Sequence, residues 1–197
     1  SGTGPGGRVV RKDVEEAIGP IGRVIGAYSR VILTGMGSSY SALRPLWLTL
    51  VSKGIPAWLV DGAECLGHFM PLIDETTLVV AASQSGRSAE LVALSGEIRS
   101  RNAKLLAITN DPTSPLARNA DAVVDIQVGT ETAVSTKTYL NTLGAGVVLG
   151  RIFLQRDFDD ALQQTADALD RYLKDWRERT ERMKETLGLP TRLFFLA

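Results

Sequence analysis

An α/β fold, a five-stranded parallel sheet with helices on both faces, is what this sequence predicts. Three observations predict it. Short apolar runs of strand length recur: Val31-Ile32-Leu33-Thr34, Ala57-Trp58-Leu59-Val60, Leu78 to Ala82, Lys104 to Thr109 and Ala122 to Ile126. Stretches with apolar residues at helical spacing separate most of them, the pattern of a parallel sheet covered on both sides. Turn-rich segments at 35–40, 83–88 and 129–137 each follow a strand, so all three are expected at one edge of the sheet, where ligands of such folds bind.

The elements follow in order. Gly2 to Gly7 is turn-rich, and Asp13 to Ile18 reads as a short helix stopped by Gly19-Pro20. A helical stretch is expected from Ile21 to Tyr28, then the first strand, which enters Gly35-Met36-Gly37-Ser38-Ser39-Tyr40. One helix with Ala42, Leu46 and Leu50 on its apolar side should follow, ended by Gly54-Ile55-Pro56. After the second strand a short helix is expected from Ala63 to Phe69, stopped before Pro71. The third strand leads through Ser83-Gln84-Ser85-Gly86-Arg87-Ser88 into a helix to about Arg101. Asn110-Asp111-Pro112 is turn chemistry, and Pro115 to Arg118 reads as one helical turn. Beyond the fifth strand, a long apolar helix runs through Leu143, Val147, Val148 and Leu154. A second spans Asp159 to Leu187, with Leu162, Ala166, Leu169, Leu173, Trp176, Met183 and Leu187 on one stripe and charge elsewhere. Gly188 to Ala197 reads as a fresh strand.

Composition excludes several functions. With 197 residues, 44% hydrophobic and 22% charged, the chain suits one globular domain with an incomplete second piece. Its 22 basic residues balance 22 acidic ones, so no nucleic-acid footprint or membrane-surface attraction is expected. Cys65 is the sole cysteine and His68 the sole histidine. That excludes an internal disulfide framework, and neither a metal nor an organic cofactor is expected. The N-terminus lacks a basic-then-apolar leader pattern, and the apolar run near Leu143 to Leu154 is broken by Arg151 and too short for a bilayer. A cytoplasmic setting is expected.

The stretch Thr76 to Leu94, TTLVVAASQSGRSAELVAL, carries the clearest chemistry. A buried strand feeding a Ser/Gly turn into a helix start presents free N–H groups and the positive end of the helix dipole to an anion. N-capping explains one serine of this turn. It does not explain Ser83, Ser85 and Ser88 with Gln84, alongside a second Gly-Ser-Ser turn at Gly37-Ser38-Ser39. Gly35-Met36-Gly37 starts like a dinucleotide-binding fingerprint, but Tyr40 stands where its last glycine belongs.

The segments ILTGMGSSY, SQSGRSAE and GTETAVSTKTY together resemble the sugar isomerase (SIS) domain. The likeness is greatest to the first of two such domains in the isomerase half of glutamine–fructose-6-phosphate aminotransferase and to its sugar-phosphate isomerase and deglycase relatives. It spans about Ile21 to Ala197. It implies a flavodoxin-like three-layer αβα fold, with 21–157 as the SIS domain and 158–197 as a linker helix and the first strand of a second, truncated SIS domain. It implies phosphosugar contacts from Gly37, Ser38 and Ser39, from Ser83, Gln84, Ser85, Gly86 and Ser88, and from Val134 and Ser135. The aminotransferase motif often carries an acidic residue where Arg87 stands, and one more residue before Ser-Thr-Lys. Its proton-transfer base, and a lysine near the sugar carbonyl, come from the second domain. Residues 1–20 are a tail or remnant: GTGPGGRVVRKDVEEAI resembles the second half of a peripheral subunit-binding domain, which would imply dihydrolipoyl dehydrogenase as a partner.

Aldose–ketose isomerisation moves a proton between adjacent carbons through an enediol, so it needs a base, donors for the developing oxyanion and a held open-chain sugar. The anchor is legible; the base is not. Glu64 is a candidate pocket carboxylate and His68 a candidate for opening the sugar ring in a neighbouring subunit's site, with the plainer readings of a helix-surface carboxylate and a surface or interface imidazole. Glu131 and Lys137 flank the third segment, and Cys65 reads as a buried thiol. The expectation is one half of a sugar-phosphate isomerase or aminotransferase-like enzyme acting on ketose or amino-sugar 6-phosphates. It would work as a homodimer or paired with a second SIS domain. The alternative is a non-catalytic phosphosugar sensor.

Overall fold

The computed structural model describes residues 19–26, 28–129, 136–156 and 161–188. Five strands form, β1 (Arg30–Gly35), β2 (Ala57–Asp61), β3 (Thr77–Ala82), β4 (Lys104–Thr109) and β5 (Ala122–Asp125). They pair in the order β2-β1-β3-β4-β5, every neighbouring pair parallel. This is the flavodoxin-type order, and its reversal point lies between β1 and β3.

Pleating divides the core into two halves. Val31, Leu33, Leu78, Val80, Leu106 and Ile108 point to one face, where they meet the helix at residues 19–24 (α1), α3 (Arg44–Val51) and α7 (Thr136–Phe153). Ile32, Val79, Ala81, Leu105 and Ala107 point to the other, against α5 (Ala89–Ser100), α6 (Pro115–Asn119) and the segment after β2. Apolar burial on both faces explains why these strands read as unbroken apolar runs. Each fully buried Leu or Ile contributes roughly 1.5–3 kcal/mol.

Three helices before β3 differ from expectation. The helix expected from Ile21 to Tyr28 spans residues 19–24 and stops before Gly26. The single helix expected after the first turn is two, α2 (Ser38–Ala42) and α3, parted at Leu43. Pro45, at the start of α3, lacks the N–H that a continuous helix would direct at the Ser41 carbonyl. The helix expected from Ala63 to Phe69 is a short α4 (Gly62–Glu64), a π turn over Cys65–Phe69 and a 3₁₀ turn over Met70–Leu72. Pro71 removes the donor for an ordinary rung there, and the ladder rearranges around it.

The chain divides into two units between residues 157 and 158. The second unit holds α8 (Ala161–Lys174) and α9 (Trp176–Leu187), where one uninterrupted helix was expected. The junction is Asp175, a weak helix former. The expected N-terminal helix and the expected strand after Gly188 lie outside the described residues. Among those described, no helix is long and apolar enough to cross a membrane.

Candidate functional site

The C-terminal ends of β1 and β3, on either side of the reversal point, open into a cleft of about 150 Å³. Ser38 and Ser39 reach it from the β1–α2 turn. Ser83, Gln84, Ser85 and Ser88 reach it from the β3–α5 turn, with Met36, Ala82 and Thr138 completing the wall. No charged side chain lines it among the described residues; its donors are hydroxyls and an amide.

The β3–α5 turn is held by its own serines. Ser83, nearly buried, accepts the Gly86 N–H at both its carbonyl (3.2 Å) and its Oγ (3.1 Å). Ser85 Oγ accepts the Arg87 N–H at 3.2 Å. The turn is anchored to β4 and the loop after it. The Gln84 carbonyl accepts from the Asn110 N–H at 2.9 Å and from the Thr109 hydroxyl at 3.1 Å, and the Leu116 N–H bonds the Gly86 carbonyl at 3.2 Å. Gly86 is required twice over. Its φ is +60°, and a Cβ there would overlap the Ser114 hydroxyl, which caps α6. Gly35 is required by proximity, since a Cβ would come within 2.8 Å of the Tyr40 nitrogen and 3.1 Å of the Ala82 carbonyl. That closeness brings the two turns together.

Ser88 stands at the N-cap of α5, yet its hydroxyl makes no cap bond. It lies 3.2 Å from Ser83 Oγ instead. The first helical rung runs from the Val92 N–H to the Ser88 carbonyl at 2.9 Å. The three preceding amides, Ala89 to Leu91, therefore have neither a rung nor a cap. Uncapped N–H groups and the positive dipole end of a twelve-residue helix favour an anion.

Arg87 does not line the cleft. Its guanidinium bonds Asp111 at 2.8 Å, bracing the turn against the loop after β4. The Asp111 carboxyl is held below the usual range first by the Thr113 hydroxyl and N–H, then by Arg87.

Of the residues named from sequence, Ser38, Ser39, Ser83, Gln84, Ser85 and Ser88 come together in this cleft. Gly37 (φ +54°) and Gly86 shape the two turns. Glu131, Val134 and Ser135 lie outside the described residues. Glu64 and His68 are both exposed, and neither lines this chain's own cleft. The inward positions of their segment are taken by Gly62, Cys65 and Met70, buried against the helical core, so the polar side chains face outward. Lys137 is exposed and does not line the wall, although Thr138 beside it does. Cys65 is fully buried, and burial pushes its thiol up to about 11, which suppresses the reactive thiolate. Sequence reading missed Met36, Ala82 and Thr138 of the wall, of which Thr138 is the polar member. It lies one turn before Thr142, both buried on α7, and that spacing marked an inward face.

A larger cleft of about 330 Å³ lies at the opposite sheet edge, beside Arg99, Lys104, Arg118 and Asp121. Lys104 is neutralised by Asp121 at 2.7 Å. The C-terminal ends of α5 and α6 meet there, and their carbonyls disfavour an anion.

A family model for the SIS domain matches residues 26–150. The chain belongs to the SIS family. The arabinose 5-phosphate isomerase KpsF of Escherichia coli is 31% identical to this SIS chain over 145 residues, which cover 68% of it and 46% of the relative. The chain thus spans about half the length of the curated relatives it matches. Among solved structures, the c3406 protein of E. coli CFT073, in complex with A5P, superposes with a TM-score of 0.63 at 25% identity, covering 72% of this chain and 82% of that one. The C-terminal domain of glucosamine-fructose-6-phosphate aminotransferase from Francisella tularensis shares the fold, with a TM-score of 0.63 at 20% identity over 84% of this chain and 44% of that one. The three-layer sheet and the SIS resemblance read from sequence are both upheld.

Proposed function

We propose that this chain binds a phosphorylated sugar in the cleft between β1 and β3 and forms the anchoring half of a sugar-phosphate isomerase. The observation that carries the reading is the β3–α5 turn: a serine-rich loop with an uncapped helix N-terminus behind it, at the sheet's reversal point. The phosphate sits against the α5 amides and the hydroxyls of Ser83, Ser85 and Ser88. Ser38 and Ser39 meet the sugar, with Gln84 and Thr138 at its flank, and Val134 and Ser135 reach its chain.

Holding the phosphate positions the reacting carbons from a remote group. The cleft's neutral donors serve a developing oxyanion as well as a phosphate. No carboxylate or imidazole lines the cleft among the described residues, and the SIS likeness assigns the proton-moving base to a second domain. A second SIS domain or a second copy of the chain supplies that base, and the working unit is a homodimer or such a pair in the cytoplasm. A pentose 5-phosphate is the first substrate to try, because the relatives include arabinose 5-phosphate isomerases. Ketose and amino-sugar 6-phosphates, as in the aminotransferase branch, are the second.

Calorimetric titration tests the reading. Arabinose 5-phosphate, fructose 6-phosphate and glucosamine 6-phosphate are compared with their unphosphorylated sugars, on the wild type and on Ser85→Ala. At least one phosphate should bind where its parent sugar does not, and losing one hydroxyl donor to a charged oxygen should weaken it roughly tenfold. Equal binding of sugar and sugar phosphate, or no binding by folded protein, would remove the phosphate from this turn.

A further inference from the structure

The second unit carries a feature that sugar binding does not use. From Ala166 through Leu169, Leu173, Trp176, Thr180 and Met183 to Leu187, the steps run 3, 4, 3, 4, 3 and 4 residues. Counting back 4 from Ala166 reaches Leu162. This is the strict seven-residue repeat of a helix seam that pairs with another helix, narrower than the stripe of a helix lying on a globular core. In the sequence the repeat passes through Asp175 without a skip, and α9 starts at that residue, the Arg179 N–H bonding the Asp175 carbonyl at 3.1 Å as its first rung. The seam is uncovered: Leu173, Trp176 and Met183 are 49%, 52% and 56% exposed. Tyr172, Trp176, Arg179, Thr180 and Met183 form a groove along it. Arg179 stacks on the Tyr172 ring at 3.8 Å, yet its buried Nη2 finds no hydrogen-bond partner among the described residues.

The flanking residues say what fits. On this count Ala166, Leu173, Thr180 and Leu187 take the first apolar position of each heptad, and Leu169, Trp176 and Met183 the second. In a parallel pair of identical helices, Arg179 would face Lys184 of the other copy, a repulsive contact. In an antiparallel pair with the seams fully overlapped, small faces large: Ala166 opposes Met183, and Leu173 opposes Trp176. On the rims, Asp170 then faces Arg177, and Tyr172 faces Arg179, each contact occurring twice by symmetry. Both rim contacts are attractive, a salt bridge and a cation over a ring. Among the described residues Asp170 pairs in its own chain with Lys174, at 3.6 Å in an exposed i,i+4 pair. Arg177 lies over its own Trp176 ring at 5.3 Å.

We infer that α8–α9 is a self-association surface, pairing antiparallel with α8–α9 of a second copy of this chain, with Asp170 and Arg177 setting the orientation. The inference does not rest on the phosphosugar reading, since none of these residues lines the cleft.

Sedimentation of the full chain over a concentration series tests it, with Asp170→Arg, Arg177→Asp and the double exchange as variants. The wild type should form a dimer. Each single exchange sets like charges against each other twice and should raise the dimer dissociation constant about tenfold; the double exchange should restore it. Helical content by circular dichroism and sugar-phosphate affinity stay unchanged in all three, which separates lost pairing from lost folding. Mixed Ala166→Cys and Met183→Cys chains should form a disulfide across the seam. A monomer at every concentration overturns the proposal and assigns the seam to another segment or protein. A dimer indifferent to the charge exchanges, or Ala166→Cys cross-linking to itself, overturns it as well.

Discussion

At the residue scale, most polar contacts of the candidate site serve its shape. Ser83, Ser85, Gly86, Thr109 and Asn110 spend hydrogen bonds on holding the turn. Arg87 shows how a charge next to an anion site can act without touching it. Its ion pair with Asp111 ties the turn to the loop after β4. Because the Asp111 pKa is lowered in the fold, with Thr113 the largest cause, its contribution is complete above the unfolded carboxylate's value, about 3.9. It is lost as the pH falls through the lower folded-state value. Urea midpoints should therefore separate wild type from Asp111→Asn at neutral pH and converge in acid. A separation that persists unchanged at the lowest pH would show that the carboxylate's charge contributes nothing.

At the scale of the element, α5 is left unfinished at its start. A helix normally satisfies its first amides with a capping side chain; here Ser88 stands at the cap and bonds Ser83 instead. That arrangement leaves the amides open to the proposed ligand, at the expense of helix stability. Ser88→Asp should reverse it. The carboxylate caps the helix and meets its dipole, so unfolding stability should hold or rise by up to about 1 kcal/mol. Sugar-phosphate affinity should fall at least tenfold in the same variant, because a carboxylate then competes for the amides. Thermal melts and titrations on one preparation check both. A parallel loss of stability and affinity would mean that the Ser83–Ser88 contact is what the turn needs. The capping signal was legible in sequence as a serine before a helix. Which bond the hydroxyl makes was not, because that depends on how closely the β3 end approaches it.

At the scale of the whole molecule, the cleft is built from residues 36 to 138, all within the first unit. A chain ending after residue 156 should keep its sugar-phosphate affinity within about twofold, a difference of roughly 0.4 kcal/mol. If affinity collapses while that shorter chain remains folded, the second unit contributes to the site.

The sequence by itself determined the five strands, their parallel arrangement and the edge at which the turns after β1 and β3 meet. Continuous apolar runs, helical spacing and turn residues are local signals, and the right-handed parallel crossover leaves few ways to assemble them. It also singled out Ser38, Ser39 and the Ser83–Ser88 turn, because a hydroxyl-rich loop between a strand and a helix has few structural uses. Only the tertiary structure decided the rest. It divided the helix at Leu43, turned Glu64 and His68 outward, paired Arg87 with Asp111 and brought Thr138 to the cleft wall. Each of these depends on which side chains fill the space between elements far apart in sequence, and no local pattern records that competition.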